Sequence, residues 1–321
     1  MSDAKDQPAE VSDMRRRHFM MAASALVAGC AARTDFSDAT ESWPPIGRFI
    51  NADGLKIHAW EQGEGQPVIL LHGASGNLRD FTWDVGPSLG KNYRAIAFDR
   101  PGLGYSERPA DRGGEPEVQA RILRTAANAM GAEQPILVGH SWGAAAAMAW
   151  ALDAPDEVAG VVTVSGAVMP WSERPMLAEM IGLDQLLIGF YFNYLSASVE
   201  RGGVNRFVQR IFSPQTPPPG YVEHVGGPLA MRPSALAANK EDIGALNAAL
   251  RRQAPRYGDL TLPVEVISGT DDFIIRPERQ PIPFKERLRQ GRLTLLDGVG
   301  HMAHHAAPDV LTAAVARIAA A

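Results

Sequence analysis

The chain has a single cysteine, Cys30, among 321 residues. That scarcity excludes an intrachain disulfide and any metal site built on cysteines. An excess of positive charge is also missing. With 31 Lys and Arg against 36 Asp and Glu, the net charge is −5 and no long single-sign run occurs, so there is no basic footprint for nucleic acid. Low-complexity tracts and internal repeats are absent. The apolar stretch Phe19–Gly29 is too short for a bilayer span, which needs about 20 residues. The histidines at 301, 304 and 305 lack H-E-x-x-H spacing, so no metal is expected there. What remains is an ordinary globular composition, 45% hydrophobic and 21% charged, able to bury a full core. Length alone leaves one large α/β domain or two small ones open.

The first thirty residues read as an address. Met14–Ala32 has a basic start, a short apolar run and small residues around the cysteine, the layout of an export signal. Arg16-Arg17-His18-Phe19-Met20 resembles a twin-arginine export motif, and Val27-Ala28-Gly29-Cys30 resembles a lipoprotein cleavage box. Those resemblances imply removal of residues 1–29, lipidation of Cys30 and a periplasmic or membrane-anchored protein. An uncleaved tail on a cytoplasmic protein is the alternative. Residues 30–46, which include the polar stretch Asp35–Pro45 ending in Trp-Pro-Pro, read as a tether.

Beyond the tether, short apolar runs alternate with helical patterns. Gly47–Asn51 and Leu55–Glu61 flank Asn51-Ala52-Asp53-Gly54, a hairpin signal. Pro67–Leu71 (PVILL) is apolar throughout, which suits a strand buried on both faces. Tyr93–Phe98, Pro135–Val138, Val158–Val164, Val264–Ile267 and Arg292–Leu296 repeat that form. Helical patterns lie at Val118–Met130, Trp142–Leu152 and Pro308–Ala321. This alternation predicts a mostly parallel, eight-stranded α/β sheet with helices on both faces. From 169 to 258 no buried-strand run occurs, and the segment reads as a helical lid inserted before the strand that carries the acid. It divides the domain into 47–168 and 259–321. Ile188–Leu195 (IGFYFNYL), with Met169, Met176 and Met180, suggests a mainly apolar pocket for a small acyl substrate.

Chemistry enters at Gly139-His140-Ser141-Trp142-Gly143. It fits G-x-S-x-G between a strand and a helix, the context in which that motif presents a nucleophile. The turn strains the serine, so its neighbours two positions away must be small, and Ala144–Ala147 let the helix pack close to the sheet. A serine nucleophile needs a base, and the base needs an orienting acid. His301 follows the last apolar strand. Asp271 and Asp272 follow the preceding one and offer two carboxylates at the same sheet edge. Donors for a developing oxyanion are assigned to the backbone N–H groups of Ala74, in His72-Gly73-Ala74-Ser75-Gly76, and of Trp142. His72, His140, His304 and His305 read as structural.

LLHG (70–73), FDRPGLGYS (98–106), GHSWG (139–143), GTDDFIIRP (269–277) and GVGHM (298–302) together resemble the α/β-hydrolase family. The likeness is to lidded serine hydrolases, among them esterases, proline iminopeptidases, cofactor-free haloperoxidases and C–C bond hydrolases. Epoxide hydrolases and haloalkane dehalogenases share the fold but use Asp where Ser141 stands. The resemblance implies that Ser141, Asp272 and His301 form the triad, because relatives place the acid in the form G-x-x-D, counted here from Gly269. Asp99 would order the loop after its strand. The implied activity is hydrolysis of a carboxylic ester through an acyl-enzyme, with no metal or organic cofactor. Amide, thioester, lactone or C–C substrates are the alternatives, and a non-catalytic binding protein on the same scaffold is a further one.

Overall fold

Five consecutive buried residues in each of the strands Pro67–Leu71, Ile136–His140 and Gly160–Val164 set the centre of the sheet. The computed structural model describes residues 37–171 and 201–321. The strands are β1 (Arg48–Ala52), β2 (Leu55–Gln62), β3 (Pro67–Leu71), β4 (Arg94–Phe98), β5 (Ile136–His140), β6 (Gly160–Val164), β7 (Val264–Gly269) and β8 (Gly291–Leu296). They form one eight-stranded sheet in the order β1-β2-β4-β3-β5-β6-β7-β8. The pairings β1–β2 and β2–β4 are antiparallel, and the rest are parallel. The helices are α1 (Ser37–Ser42), α2 (Val85–Leu89), α3 (Pro116–Ala129), α4 (Trp142–Asp153), α5 (Arg201–Phe212), α6 (Tyr221–Val225), α7 (Pro233–Gln253), α8 (Pro281–Arg287), α9 (Ala303–Ala306) and α10 (Pro308–Ala319).

The period of two along a strand splits the core into two layers. Ile69 and Leu71 face a cluster that includes residues of α3, α4 and α7, while Val68 and Leu70 face one that includes residues of α2 and α10. Each fully buried Val, Leu or Ile contributes about 1.5–3 kcal/mol relative to exposure. Strands buried on both faces therefore must be continuously apolar, which is why PVILL and ILVGH carry so little alternation. Helix α4 is buried along almost its whole length. Its run of alanines removes side-chain bulk and brings the helix axis close to the sheet.

Parallel pairing puts the carboxyl ends of β3, β5, β6, β7 and β8 along one edge. Leu71 pairs with Gly139, His140 with Val164 and Gly269 with Leu296. The loops that follow these strands therefore emerge side by side, where open α/β sheets bind their ligands.

Between β6 and β7 the described residues contain helices and no strand. Met169 is buried in the main core. Ile188–Leu195, Met176, Met180, Cys30 and the twin-arginine segment lie outside the described residues. The expected tether needs a correction over its second half. Residues 37–42 form α1, Trp43 Nε1 donates to the Glu223 carbonyl, and Arg79 and Tyr105 donate to the carbonyls of Pro44 and Trp43. A large indole and a run of backbone acceptors dock this stretch, so it is not a free linker.

Close packing at the serine corner gives a direct test. A Cβ at Gly143 would lie 2.2 Å from the Leu71 carbonyl oxygen, whereas one at Gly244, exposed on α7, would meet nothing within 4 Å. Gly143→Ala is expected to destabilise by about 2–3 kcal/mol through overpacking. Gly244→Ala is expected to stabilise by roughly 0.5–1 kcal/mol through helix propensity. Thermal denaturation of both variants checks the pair, and equal shifts would contradict the packing described for the corner.

Candidate active site

Ser141 stands at the corner between β5 and α4 with φ 51° and ψ −117°. Such a backbone costs of order 1–3 kcal/mol in a non-glycine residue and persists only where its surroundings hold it. Here the Ser141 N–H donates to the Val164 carbonyl at 2.9 Å, and its own carbonyl accepts from Ala144 at 3.1 Å and Ala167 at 3.0 Å. A Cβ at Gly139 would come within 2.5 Å of Ala144 Cα. The flanking residues are small because backbone occupies the space. The amino end of α4 adds a positive dipole end beside the serine.

Asp272 and His301 are both buried, and Asp272 Oδ2 accepts from His301 Nδ1 at 2.9 Å. The other carboxylate oxygen, Oδ1, accepts the backbone N–H groups of Ile274 at 2.9 Å and Ile275 at 2.8 Å. The turn thus fixes the carboxylate and leaves one oxygen for the imidazole. A proton on Nδ1 makes Nε2 the basic nitrogen of His301. Asp271 is exposed and accepts from Thr270 Oγ1, so the two neighbouring carboxylates face different surroundings. The loops carrying Asp272 and His301 interlock, since a Cβ at Gly269 would lie 1.9 Å from the Val299 carbonyl oxygen. His140, beside Ser141, donates from Nε2 to the His301 carbonyl at 3.2 Å, joining the serine corner to the histidine loop.

The 72–76 loop passes against the serine, with a Cβ at Gly73 only 3.1 Å from Ser141 Cβ. Among the described residues the backbone N–H groups of Ala74 and Trp142 have no protein acceptor. Burial, reinforced by the Arg100 charge, pushes the pKa of His72 down to about 4. The neutral ring donates from Nδ1 to the Gly73 carbonyl at 2.9 Å and accepts the Arg100 N–H on Nε2 at 3.0 Å. Asp99 orders its neighbourhood as expected. Its carboxylate accepts from Leu78 N, Tyr105 N and His58 Nδ1, each at 2.7 Å.

Sequence reading assigns no role to Arg100, Asn239 or Asp242, yet all three are buried around this loop. Arg100 donates to Asp242 Oδ2 at 2.7 Å, to Gln119 at 2.8 Å, and to the carbonyls of His72 and Gly73 at 2.9 and 3.1 Å. Its guanidinium carbon lies 3.9 Å from the centroid of the Trp142 ring. Arg100 stands in the quoted FDRPGLGYS segment, so a signal existed for it. Asn239 and Asp242 carry none, because an ordinary helix sequence does not reveal which polar residues will be buried.

Behind the serine lies a second polar cluster. Asp80 accepts from His304 Nε2 at 3.1 Å, His305 Nε2 at 2.8 Å and Tyr221 OH at 2.5 Å. Burial pulls the His305 pKa down, but hydrogen bonds to Asp80 and Asp84 outweigh it and lift the value to about 9. Burial, with the charges of His304 and His301, holds His140 well below its usual pKa. One ligand atom each from Asp80, His140 and His304 lies within 4.8 Å of the others, so among the described residues these three are the group whose distances allow a cation. The protonated His305 and the Tyr221 hydroxyl already neutralise and occupy the carboxylate, which explains the cluster without one.

Comparison with known proteins agrees with this architecture. Residues 66–214 match the family model described as the alpha/beta hydrolase fold. A 2-hydroxymuconate semialdehyde hydrolase of Pseudomonas sp. (strain CF600) is 30% identical over 278 residues, covering 82% of this chain and 90% of the relative. Haloalkane dehalogenase 2 of Mycobacterium tuberculosis is 26% identical over 300 residues, covering 88% and 97%. Among solved structures, a 2-hydroxy-6-oxo-6-phenylhexa-2,4-dienoate hydrolase from Rhodococcus sp. strain RHA1 superposes with a TM-score of 0.70 at 21% identity, covering 86% of this chain and 99% of that one. With a mostly parallel eight-stranded sheet and a strand–serine–helix corner at its carboxyl edge, the chain belongs to the α/β-hydrolase fold family and is a hydrolase.

Proposed function

We propose that the chain is a serine hydrolase that cleaves a carboxylic ester through an acyl-enzyme. The observation that carries this reading is the pair of contacts on Asp272, which holds two backbone N–H groups with one oxygen and His301 Nδ1 with the other. An imidazole so oriented is a general base whose free nitrogen is Nε2. Ser141 Oγ would attack the substrate carbonyl as His301 Nε2 takes its proton. The tetrahedral oxyanion would accept from Ala74 N–H and Trp142 N–H, and collapse would expel the alcohol, protonated by His301. Water, activated by the same base, then releases the acid and restores Ser141. Neither a metal nor an organic cofactor is needed for these steps. An apolar acyl group is the proposed preference, motivated by the aromatic and methionine content of 169–195.

A second reading has one specific observation in its favour. The first relative reported above is a 2-hydroxymuconate semialdehyde hydrolase, whose name indicates action on that compound. The same nucleophile, base and oxyanion donors could serve cleavage of a C–C bond beside a carbonyl. The dehalogenase relative argues less for its own chemistry, because the position of the nucleophile here is a serine. Steady-state rates on p-nitrophenyl esters and on 2-hydroxymuconate semialdehyde separate the two.

The residue assignment is tested in the same assay. Ser141→Ala and Asp272→Asn are each expected to lower kcat by several orders of magnitude, about 10⁴-fold for the orienting acid by analogy with serine proteases. Asp271→Asn is expected to change it less than about threefold. A crippled Asp271→Asn beside an active Asp272→Asn would move the acid back by one residue.

For localisation we propose export and anchoring through lipid on Cys30, on the strength of the two N-terminal motifs. Among the described residues no helix is long and apolar enough to cross a membrane. Expression in a bacterial host is expected to give membrane-associated protein, with Cys30→Ser losing the lipid mass. An intact Met1–Ala321 chain in the cytosol would contradict the proposal.

A further inference from the structure

The two N–H groups assigned to the oxyanion are held in place by one helix of the inserted region. Ala74 lies between two pinned groups. On one side, the Gly73 carbonyl accepts from His72 Nδ1 at 2.9 Å and Arg100 Nη2 at 3.1 Å. The peptide is planar and trans, so fixing that carbonyl aims the Ala74 N–H in the opposite direction, away from Arg100. On the other side, the Ser75 N–H donates to Asn239 Oδ1 at 2.8 Å, with Ser75 at φ 57°. A non-glycine residue holds that conformation only when tied, and Asn239 supplies the tie.

Trp142 is gripped from the same helix. Its indole Nε1 donates to the Asp242 carbonyl at 3.0 Å, and its ring lies under the Arg100 guanidinium. The Asp242 carboxylate in turn holds Arg100 at 2.7 Å and Arg108 at 2.9 Å and accepts from Gln119 at 3.0 Å. Asn239 and Asp242 stand three residues apart on α7, one above the other on its buried face. One face of one helix therefore reaches the loop of the first donor and the side chain of the second.

We infer that α7 sets the shape of the oxyanion hole, with Asn239 and Asp242 as positioning residues that act through Ser75, Arg100 and Trp142. They touch no reacting atom. Asn239 fixes the backbone one residue beyond the Ala74 N–H. Asp242 fixes Arg100, which fixes the carbonyl behind that N–H. The helix lies in the region inserted between β6 and β7, so displacement of α7 would loosen both donors together. This inference rests on the serine-hydrolase reading above.

Asn239→Leu in the full chain is the cleanest test, because it removes the acceptor at similar volume and introduces no charge. With p-nitrophenyl butyrate as substrate, kcat is expected to fall about 10–100-fold, below the 10²–10³ of losing a donor outright, while KM stays within about twofold. Affinity for phenylboronic acid, whose tetrahedral serine adduct needs the hole, should fall by the same factor as kcat/KM. A merely structural Asn239 would lower the thermal midpoint and leave both ratios alone. Should Asn239→Leu not fold, Trp142→Phe carries the same test, since it deletes the indole donor and keeps a ring under Arg100. It should lower kcat and boronate affinity together. A folded variant with kcat and boronate affinity unchanged, or with only KM raised, overturns the inference. Wild-type protein that turns over neither the ester nor 2-hydroxymuconate semialdehyde would instead remove the serine-hydrolase reading, and this inference with it.

Discussion

Everything around the site is arranged to keep one residue in an unfavourable backbone conformation. Ser141, at φ 51°, terminates a buried strand and begins a buried helix with no residue to spare between them. The cost of order 1–3 kcal/mol is met by three backbone hydrogen bonds and by neighbours with no bulk. Gly139, Gly143 and Gly166 each leave room that another backbone or Ala144 occupies. Small residues here are the condition for placing a hydroxyl at the tip of the corner, with the amino end of α4 behind it.

The second constraint is electrostatic. Arg100 and Asp242 are fully buried and paired at 2.7 Å. A buried ion pair is weak evidence of stability, because desolvation offsets much of its attraction, whereas removing one partner strands the other at a cost of about 3–5 kcal/mol. The value of this pair lies in what Arg100 does with its remaining donors. They fasten two carbonyls of the loop beside the serine and leave its ring-stacked face on Trp142. The polar cluster of Asp80, His304 and His305 works similarly at the other side of the site. Phe212 and Tyr221 from the inserted region pack on His305, and so tie that region to α9, which follows His301.

Much of this was legible in the sequence because its signals are local. Buried parallel strands need apolar runs, so PVILL, ILVGH and GVVTV announce themselves. The serine corner needs its glycines within two residues, and the acid and base must follow consecutive strands. Boundaries moved by one or two residues, as at β6, where Val158 and Ala159 precede the strand rather than begin it. What stayed hidden depends on contacts distant in the chain. Arg100 and Asp242 are separated by 142 positions, and Ser75 and Asn239 by 164. Nothing in PSALAANKEDIGALNAALRRQ distinguishes those two buried residues from the solvated ones beside them. The docking of Trp43 on Glu223 was invisible for the same reason, so a polar stretch read as a tether.

The proposed function rests on Ser141 being the one activated nucleophile. Incubation with a fluorophosphonate, followed by proteolysis and mass mapping of the modified peptide, tests it most directly. One equivalent of phosphonate per chain is expected, carried by Ser141 in the peptide containing GHSWG. Absence of labelling, or an adduct on a different residue, would contradict it.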